Sequence, residues 1–317
     1  MTFSRNYSSL LLAVTGLLFA VTTLAQEAAS QPAQTPSQQP MVKLNVLVTD
    51  SSNQRVSDLR QEDFRVSEDG KPQTISYFSQ EELPVNYGLV VDASGSQRAL
   101  LSYIIEAAKN IVGGNKPVDE AFVMRFVDAD SIQVEQGFTS NKLVLSDALD
   151  NIYVEGGLTA LIDAVNQSLD YLKKGRRSAG SPERQAIILI TDGEDRGSRT
   201  HADALLNRLR EEDAQVFIIG LTKMSNLQSS REKAASFLTR IAEASGGRVF
   251  FPKSSAELPG VVEEITRNLH TQYVIGYTPT NAARDGSFRK VQVTVPDSQT
   301  RKKLNVITRP GYNTAPH

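Results

Sequence analysis

The sequence predicts an α/β fold, a mainly parallel sheet covered on both faces, carried between two β-rich flanks. Two observations predict it. From Gly88 to His270, short apolar runs alternate with segments whose apolar residues recur at helical spacing, and strands alternating with helices build parallel sheets. On either side, Met41 to Phe78 and Gln272 to Tyr312 alternate apolar and polar residues with period two, as half-buried strands do.

Composition narrows the function classes. The chain has 317 residues, 40% hydrophobic and 22% charged, with a formal net charge of -2. That length supports about two domains. A near-neutral chain without a long basic stripe has no electrostatic footprint for nucleic acid; the cluster Lys173, Lys174, Arg176 and Arg177 follows an expected helix, where cations suit the dipole. Cysteine is absent, which excludes disulfides, thiolate metal sites and a cysteine nucleophile. The three histidines, His201, His270 and His317, are too far apart in sequence to form a zinc site of the usual kind.

Taken in order, residues 1–25 read as a signal peptide: Arg5 in a polar lead, an apolar run from Leu10 to Leu24, and small residues Thr23 and Ala25 before a cut after Ala25. The run is short against the ~20 residues of a membrane span, so cleavage is expected, leaving an exported protein, periplasmic or extracellular, with no membrane span. Residues 26–40, rich in Gln, Ala, Ser and Pro, read as a disordered linker. Val42, Leu44, Val46 and Val48 then line one face of a strand, Phe64 and Val66 belong to a second, and after the turn Glu68-Asp69-Gly70-Lys71 the segment Thr74 to Phe78 alternates again.

The α/β region, residues 85–270, opens with the strand Gly88 to Val91 and a helix near Gln97 to Val112. Strands through Ala121 to Val127 and Ile132 to Phe138 follow, then helices near Lys142 to Ile152 and Ala160 to Lys173, separated by a loop containing Gly156 and Gly157. Next come the strand Ala186 to Ile190, a helix around Ala202 to Glu212, the strand Val216 to Gly220, a helix near Lys233 to Ser245, the strand Arg248 to Phe251 and a helix near Ala256 to His270. Beyond it, Tyr273, Ile275 and Tyr277, then Val291, Val293 and Val295, then Leu304, Val306 and Thr308 form three stripes, with a turn at Asp285-Gly286. Three strands cannot stand alone. The flanks 41–80 and 272–312 are therefore expected to pack as the two halves of one accessory β-sandwich, with the α/β domain inserted between them; two independent β modules are the alternative.

The chemistry concentrates where strands end. The first α/β strand runs into Asp92, Ser94 and Ser96, oxygen-bearing side chains at every second position, and the strand Ala186 to Ile190 runs into Asp192. Loops at the carboxyl ends of strands are where open α/β sheets bind ligands. Thr159 stands at a helix start in a third such loop. Two carboxylates and three hydroxyls make an oxygen-only, low-charge set suited to magnesium or manganese, with water filling the remaining positions. Read separately, Ser94 or Ser96 would serve equally well as a helix cap.

These residues are what the chain shares with the von Willebrand factor type A domain family, which it resembles over about Val85 to His270. The family's metal-ion-dependent adhesion site combines Asp-x-Ser-x-Ser with a distant Thr and a distant Asp, present here as Asp92-Ala93-Ser94-Gly95-Ser96, Thr159 in Gly-Gly-Leu-Thr-Ala-Leu, and Asp192 in Ile-Thr-Asp-Gly-Glu-Asp. The resemblance implies a doubly wound, Rossmann-like fold and a metal held by Asp92, Ser94, Ser96, Thr159 and Asp192. The flanks resemble those of exported bacterial proteins containing this domain.

The function expected is a non-enzymatic adhesion or assembly module whose Mg2+ or Mn2+ receives an acidic side chain of a protein partner. A hydrolase is the weaker expectation: no Gly-x-Ser-x-Gly elbow and no phosphate-binding glycine loop occur, and His201 is the only histidine near the Asp192 loop. A third reading is structural: the metal stiffens the three loops and the sandwich makes metal-independent contacts, for which Tyr273 and Tyr277 are candidates, although their alternation fits sandwich core equally well. Glu194 and Asp195 read as a solvated acidic turn.

Overall fold

A computed structural model describes residues 41–52, 54–80, 82–175, 183–224, 231–270, 272–296 and 303–314; the expected signal peptide 1–25 and linker 26–40 lie outside these residues. In chain order the N-terminal flank supplies β1 (Val42–Thr49), β2 (Arg65–Glu68), β3 (Lys71–Gln73) and β4 (Ile75–Ser79). The middle supplies β5 (Val85–Asp92), α1 (Leu101–Gly113), β6 (Glu120–Phe126), β7 (Ile132–Thr139), α2 (Lys142–Asp150), α3 (Leu161–Lys174), β8 (Arg184–Thr191), α4 (Ala202–Glu211), β9 (Gln215–Gly220), α5 (Arg231–Ser245), β10 (Val249–Phe250) and α6 (Leu258–His270). The C-terminal flank supplies β11 (Tyr273–Tyr277), β12 (Phe288–Thr294), β13 (Asn305–Ile307) and β14 (Gly311–Asn313).

The middle elements form a six-stranded sheet in the order β10-β9-β8-β5-β6-β7, parallel except for β7 at one edge. Every residue of β5 and β8 is buried, because both sheet faces are covered; this is why these strands read as continuous apolar runs rather than as alternation. Residues of α1, α2 and α6 close one apolar layer. Those of α3, α4 and α5 close the other. The doubly wound α/β expectation holds. The first helix begins later than expected, at Leu101 rather than near Gln97, because Gly95–Gln97 make a short 3-10 turn.

The flanks form two four-stranded sheets, β13-β1-β11-β4 and β14-β12-β2-β3. Each draws two strands from either flank, and together they enclose a core that includes Leu44, Val46, Phe64, Val66, Ile275, Val291 and Val293. Two strands were not visible in the periodicity: β3 and β14 are three residues each, too short for period two to register. The Asp69-Gly70 turn, with φ of 48° and 78°, joins β2 to β3. Two positive φ values are what a two-residue hairpin turn of type I′ requires. The segment expected to follow that turn, β4, crosses into the other sheet.

Of the two roles open to Tyr273 and Tyr277, contact surface or sandwich core, the structure gives core. Tyr273 is buried and its hydroxyl meets the Leu59 amide at 3.1 Å and the Val56 carbonyl at 3.1 Å. Tyr277 is fully buried and donates to Glu68 at 2.8 Å. Their alternation reflects the inner face of the sandwich, so neither presents a contact surface.

Candidate functional site

Asp92 is the last residue of β5, 0% exposed. Its Oδ1 accepts from the Ser94 amide at 3.0 Å and the Ser94 hydroxyl at 2.6 Å; its Oδ2 accepts from the Thr191 hydroxyl, at the end of β8, at 2.6 Å. The Ser94 and Ser96 hydroxyls lie 3.2 Å apart. Neither serine caps a helix with its side chain. The capping reading is thereby replaced: the chain turns back on Asp92, the Ser94 hydroxyl meets the carboxylate, and the Ser96 hydroxyl meets that of Ser94.

Asp192 follows β8 directly and is 3% exposed. The Glu194 amide donates to its Oδ1 at 3.3 Å, whereas Oδ2 is buried with no hydrogen-bond partner. Gly193, with φ 84°, makes the bend possible, and its bare α-carbon faces Leu238: a Cβ there would lie 2.9 Å from that side chain. The Gly193 amide in turn donates to the Thr191 hydroxyl at 3.0 Å. Thr191 thus braces both strand ends.

Burial raises Asp92, the charge of Asp192 raises it further, and the hydrogen bonds from Ser94 and Thr191 only partly offset them: its carboxyl moves from an ordinary 3.8 to about 7. Asp192 is also pushed up, by burial, against hydrogen bonds from the Ser96 hydroxyl and the Glu194 amide. Among the described residues no Lys or Arg is bonded to either. Two buried carboxyl groups facing each other without a cation are costly when ionised.

Thr159, before α3, is buried, and the amides of Arg196 and Gly197 donate to its carbonyl at 2.8 and 2.9 Å. Its loop is tied to the other strand ends: the Glu155 amide donates to the Ala93 carbonyl at 3.0 Å and the Ala160 amide to the Val127 carbonyl at 2.9 Å. The Thr159 hydroxyl bonds to none of the other four residues; its backbone, not its side chain, makes the connection in this structure. The structure therefore joins Asp92, Ser94, Ser96 and Asp192 through their side chains and places Thr159 on a loop bound to theirs.

The acidic turn is not a solvated one. Glu194 pairs with Arg196 at 3.0 Å. Asp195 accepts from the Ile162 amide at 3.2 Å and the Ser198 hydroxyl at 2.5 Å, while Asp163 accepts from the amides of Arg199 and Thr200 at 2.7 and 3.0 Å. Each loop caps the other, fixing the α3 start against the loop after β8. Thr191 and Asp163 carry no signal in the sequence, because their roles require contacts between loops; Asp195 is visible there only as part of an acidic turn. His201 is exposed ahead of α4 and its side chain makes no cap.

The donor set suits a hard divalent cation. It is all oxygen, it contains one buried carboxylate oxygen with no partner, and its two carboxyl groups lack a positive counterpart. Among the described residues no three carboxylates or imidazoles gather into a metal-ligand group, so hydroxyls and water must complete any such shell.

A family model described as the von Willebrand factor type A domain matches residues 88–264. The collagen alpha-6(VI) chain of Homo sapiens is 27% identical over 169 residues, 49% of this chain and 7% of that one; the match thus spans a small part of that relative's length. Among solved structures, BatB from Bacteroides thetaiotaomicron shows 20% identity and a TM-score of 0.44, covering 58% of this chain and 98% of its own. A von Willebrand factor type A structure from Catenulispora acidiphila shows 15% identity and a TM-score of 0.46, covering 87% of this chain and 75% of its own.

Proposed function

From the premise that this chain belongs to the von Willebrand factor type A domain family, we propose that it is an exported protein-binding module for adhesion or assembly, dependent on a divalent cation and not an enzyme. The observation that carries the reading is the buried pair Asp92 and Asp192, mutually repelling and without a cation, with the Asp192 Oδ2 unpartnered. Asp92, Ser94, Ser96, Thr159 and Asp192 are the residues that would hold Mg2+ or Mn2+. When bound, the cation supplies an electrophilic position for a carboxylate oxygen of a partner protein.

The chain's own residues account for the rest. Thr191 and the Ser94 amide aim Asp92. Asp195 and Asp163 hold the Thr159 and Asp192 loops together. Because the protein offers only two carboxylates and neutral hydroxyls, its charge at most balances that of the cation, and an acidic partner group would meet no excess of negative charge.

Calorimetric titration of the metal-stripped protein with magnesium and manganese tests this. Binding at one site, abolished by Asp92→Ala, is expected. Absence of binding in the unsubstituted protein overturns the metal-dependent reading.

A further inference from the structure

β6 alternates between the two apolar layers: Ala121 and Val123 face one, Phe122, Met124 and Phe126 the other, and Val127, just past the strand, returns to the first. Arg125 occupies the position between Val123 and Val127 and is 1% exposed. It pairs across the ladder with Val91, the neighbour of Asp92. A guanidinium in such a place is tolerated only where its N–H groups are matched.

The matches are specific. Nε donates to Glu135 of β7 at 2.9 Å, Nη1 to Glu155 at 2.8 Å, and Nη2 to Gln133 at 3.2 Å and the Tyr153 hydroxyl at 3.4 Å. The guanidinium carbon also lies 4.5 Å from the Tyr153 ring centroid. Glu135 and Gln133 are on the neighbouring strand. Tyr153 and Glu155 are on the loop between α2 and α3 that carries Thr159, and the Glu155 amide is the group that meets Ala93. That loop is therefore gripped near its start by Arg125 and at its end by Val127, through the Ala160 amide.

We propose that Arg125 is a positioning residue for the cation site: it fixes the Thr159 loop against the end of β5 and thereby sets the affinity for a divalent cation that it does not touch. The proposal rests on the cation-binding reading given above. Electrostatics alone predicts the opposite sign, because removing a positive charge beside a cation site strengthens cation binding. The direction of change separates the two.

The test is magnesium and manganese calorimetry on the full chain and three variants, beside thermal unfolding in chelator. Arg125→Met is expected to weaken binding about ten- to a hundredfold, the range found when groups that orient metal ligands are removed. Tyr153→Leu changes no charge and replaces a side chain on a residue 54% exposed; it is expected to weaken binding several-fold with little change in the metal-free melting temperature. Glu135→Gln, which bonds the same guanidinium from outside the loop, is expected to leave affinity within about twofold. Unchanged or tighter binding in folded Arg125→Met overturns the proposal, and if that variant does not fold, unchanged affinity in Tyr153→Leu does so. An unsubstituted protein that binds neither metal overturns the cation reading and this proposal with it.

Discussion

The two ends of β5 carry buried carboxyl groups in opposite electrical circumstances. At its start, Asp119 accepts from the Val85 amide at 3.0 Å, the Lys116 amide at 2.6 Å and His270 Nε2 at 2.6 Å. Burial raises the Asp119 pKa, but the His270 bond and the two amides outweigh it and hold the carboxyl below its usual range. At the other end Asp92 meets Asp192 and hydroxyls, and moves up. The same residue type on the same sheet is saturated with hydrogen bonds and an imidazole in one place and set against a second carboxyl in the other. The first arrangement serves stability, and the second is the arrangement on which the proposed cation site rests.

The largest effect that separates the two ends is in pH. An acid whose folded pKa is raised binds its proton more tightly in the folded state, so its contribution is intact below the unfolded value and lost as pH rises to the folded one. For Asp92 that window runs from 3.8 to about 7. In chelator, the stability of the unsubstituted protein relative to Asp92→Asn is expected to fall across this window by on the order of 4 kcal/mol. Asp119 has the opposite sign, its contribution being lost only as pH falls below the usual carboxylate range. Urea unfolding at a series of pH values measures both, and a flat difference between the two proteins would remove the contrast.

Next in size is truncation of the saturated group. Asp119→Ala leaves the Val85 and Lys116 amides and His270 without their acceptor and is expected to cost about 3 kcal/mol. Asp192→Asn in metal-free protein is expected to cost nothing or to stabilise, since it relieves repulsion at a site tuned for binding. Urea midpoints compare them directly, and a severe Asp192→Asn beside a mild Asp119→Ala would reverse the assignment of the two ends. Smaller than the Asp119 loss is Thr191→Val, which removes one bond to Asp92 and one from Gly193 and is expected to cost about 1 kcal/mol at a pH where Asp92 is ionised.

The site's strand ends were legible in the sequence because an apolar run stopping at an Asp is a local signal; Asp92 and Asp192 both follow one. Ser94 and Ser96 were legible as a motif, but only the structure shows that they do not cap: the Ser94 hydroxyl meets Asp92 and the Ser96 hydroxyl meets that of Ser94. Arg125 was hidden inside an apolar run whose length alone fixed the strand. Asp119 and His270 were hidden differently: their bond spans most of the α/β domain, and no local pattern marks it. The alternation of the flanks carried the sandwich, but not β3 and β14, which are held by pairing with β2 and β12 rather than by any pattern of their own.

The interleaving of the flanks also orders events in time. Val42 of β1 pairs with Tyr277 of β11, and Val66 of β2 with Val293 of β12, whereas every strand of the central sheet finds its neighbours between Val85 and Phe250. On an emerging chain the α/β layer can close, and β2 can pair with β3, while β1, β4 and that hairpin still lack the partners that β11 to β13 supply. The sandwich is thus the late step of folding, and the interval before it closes is when β1 to β4 are exposed to pairing with other chains.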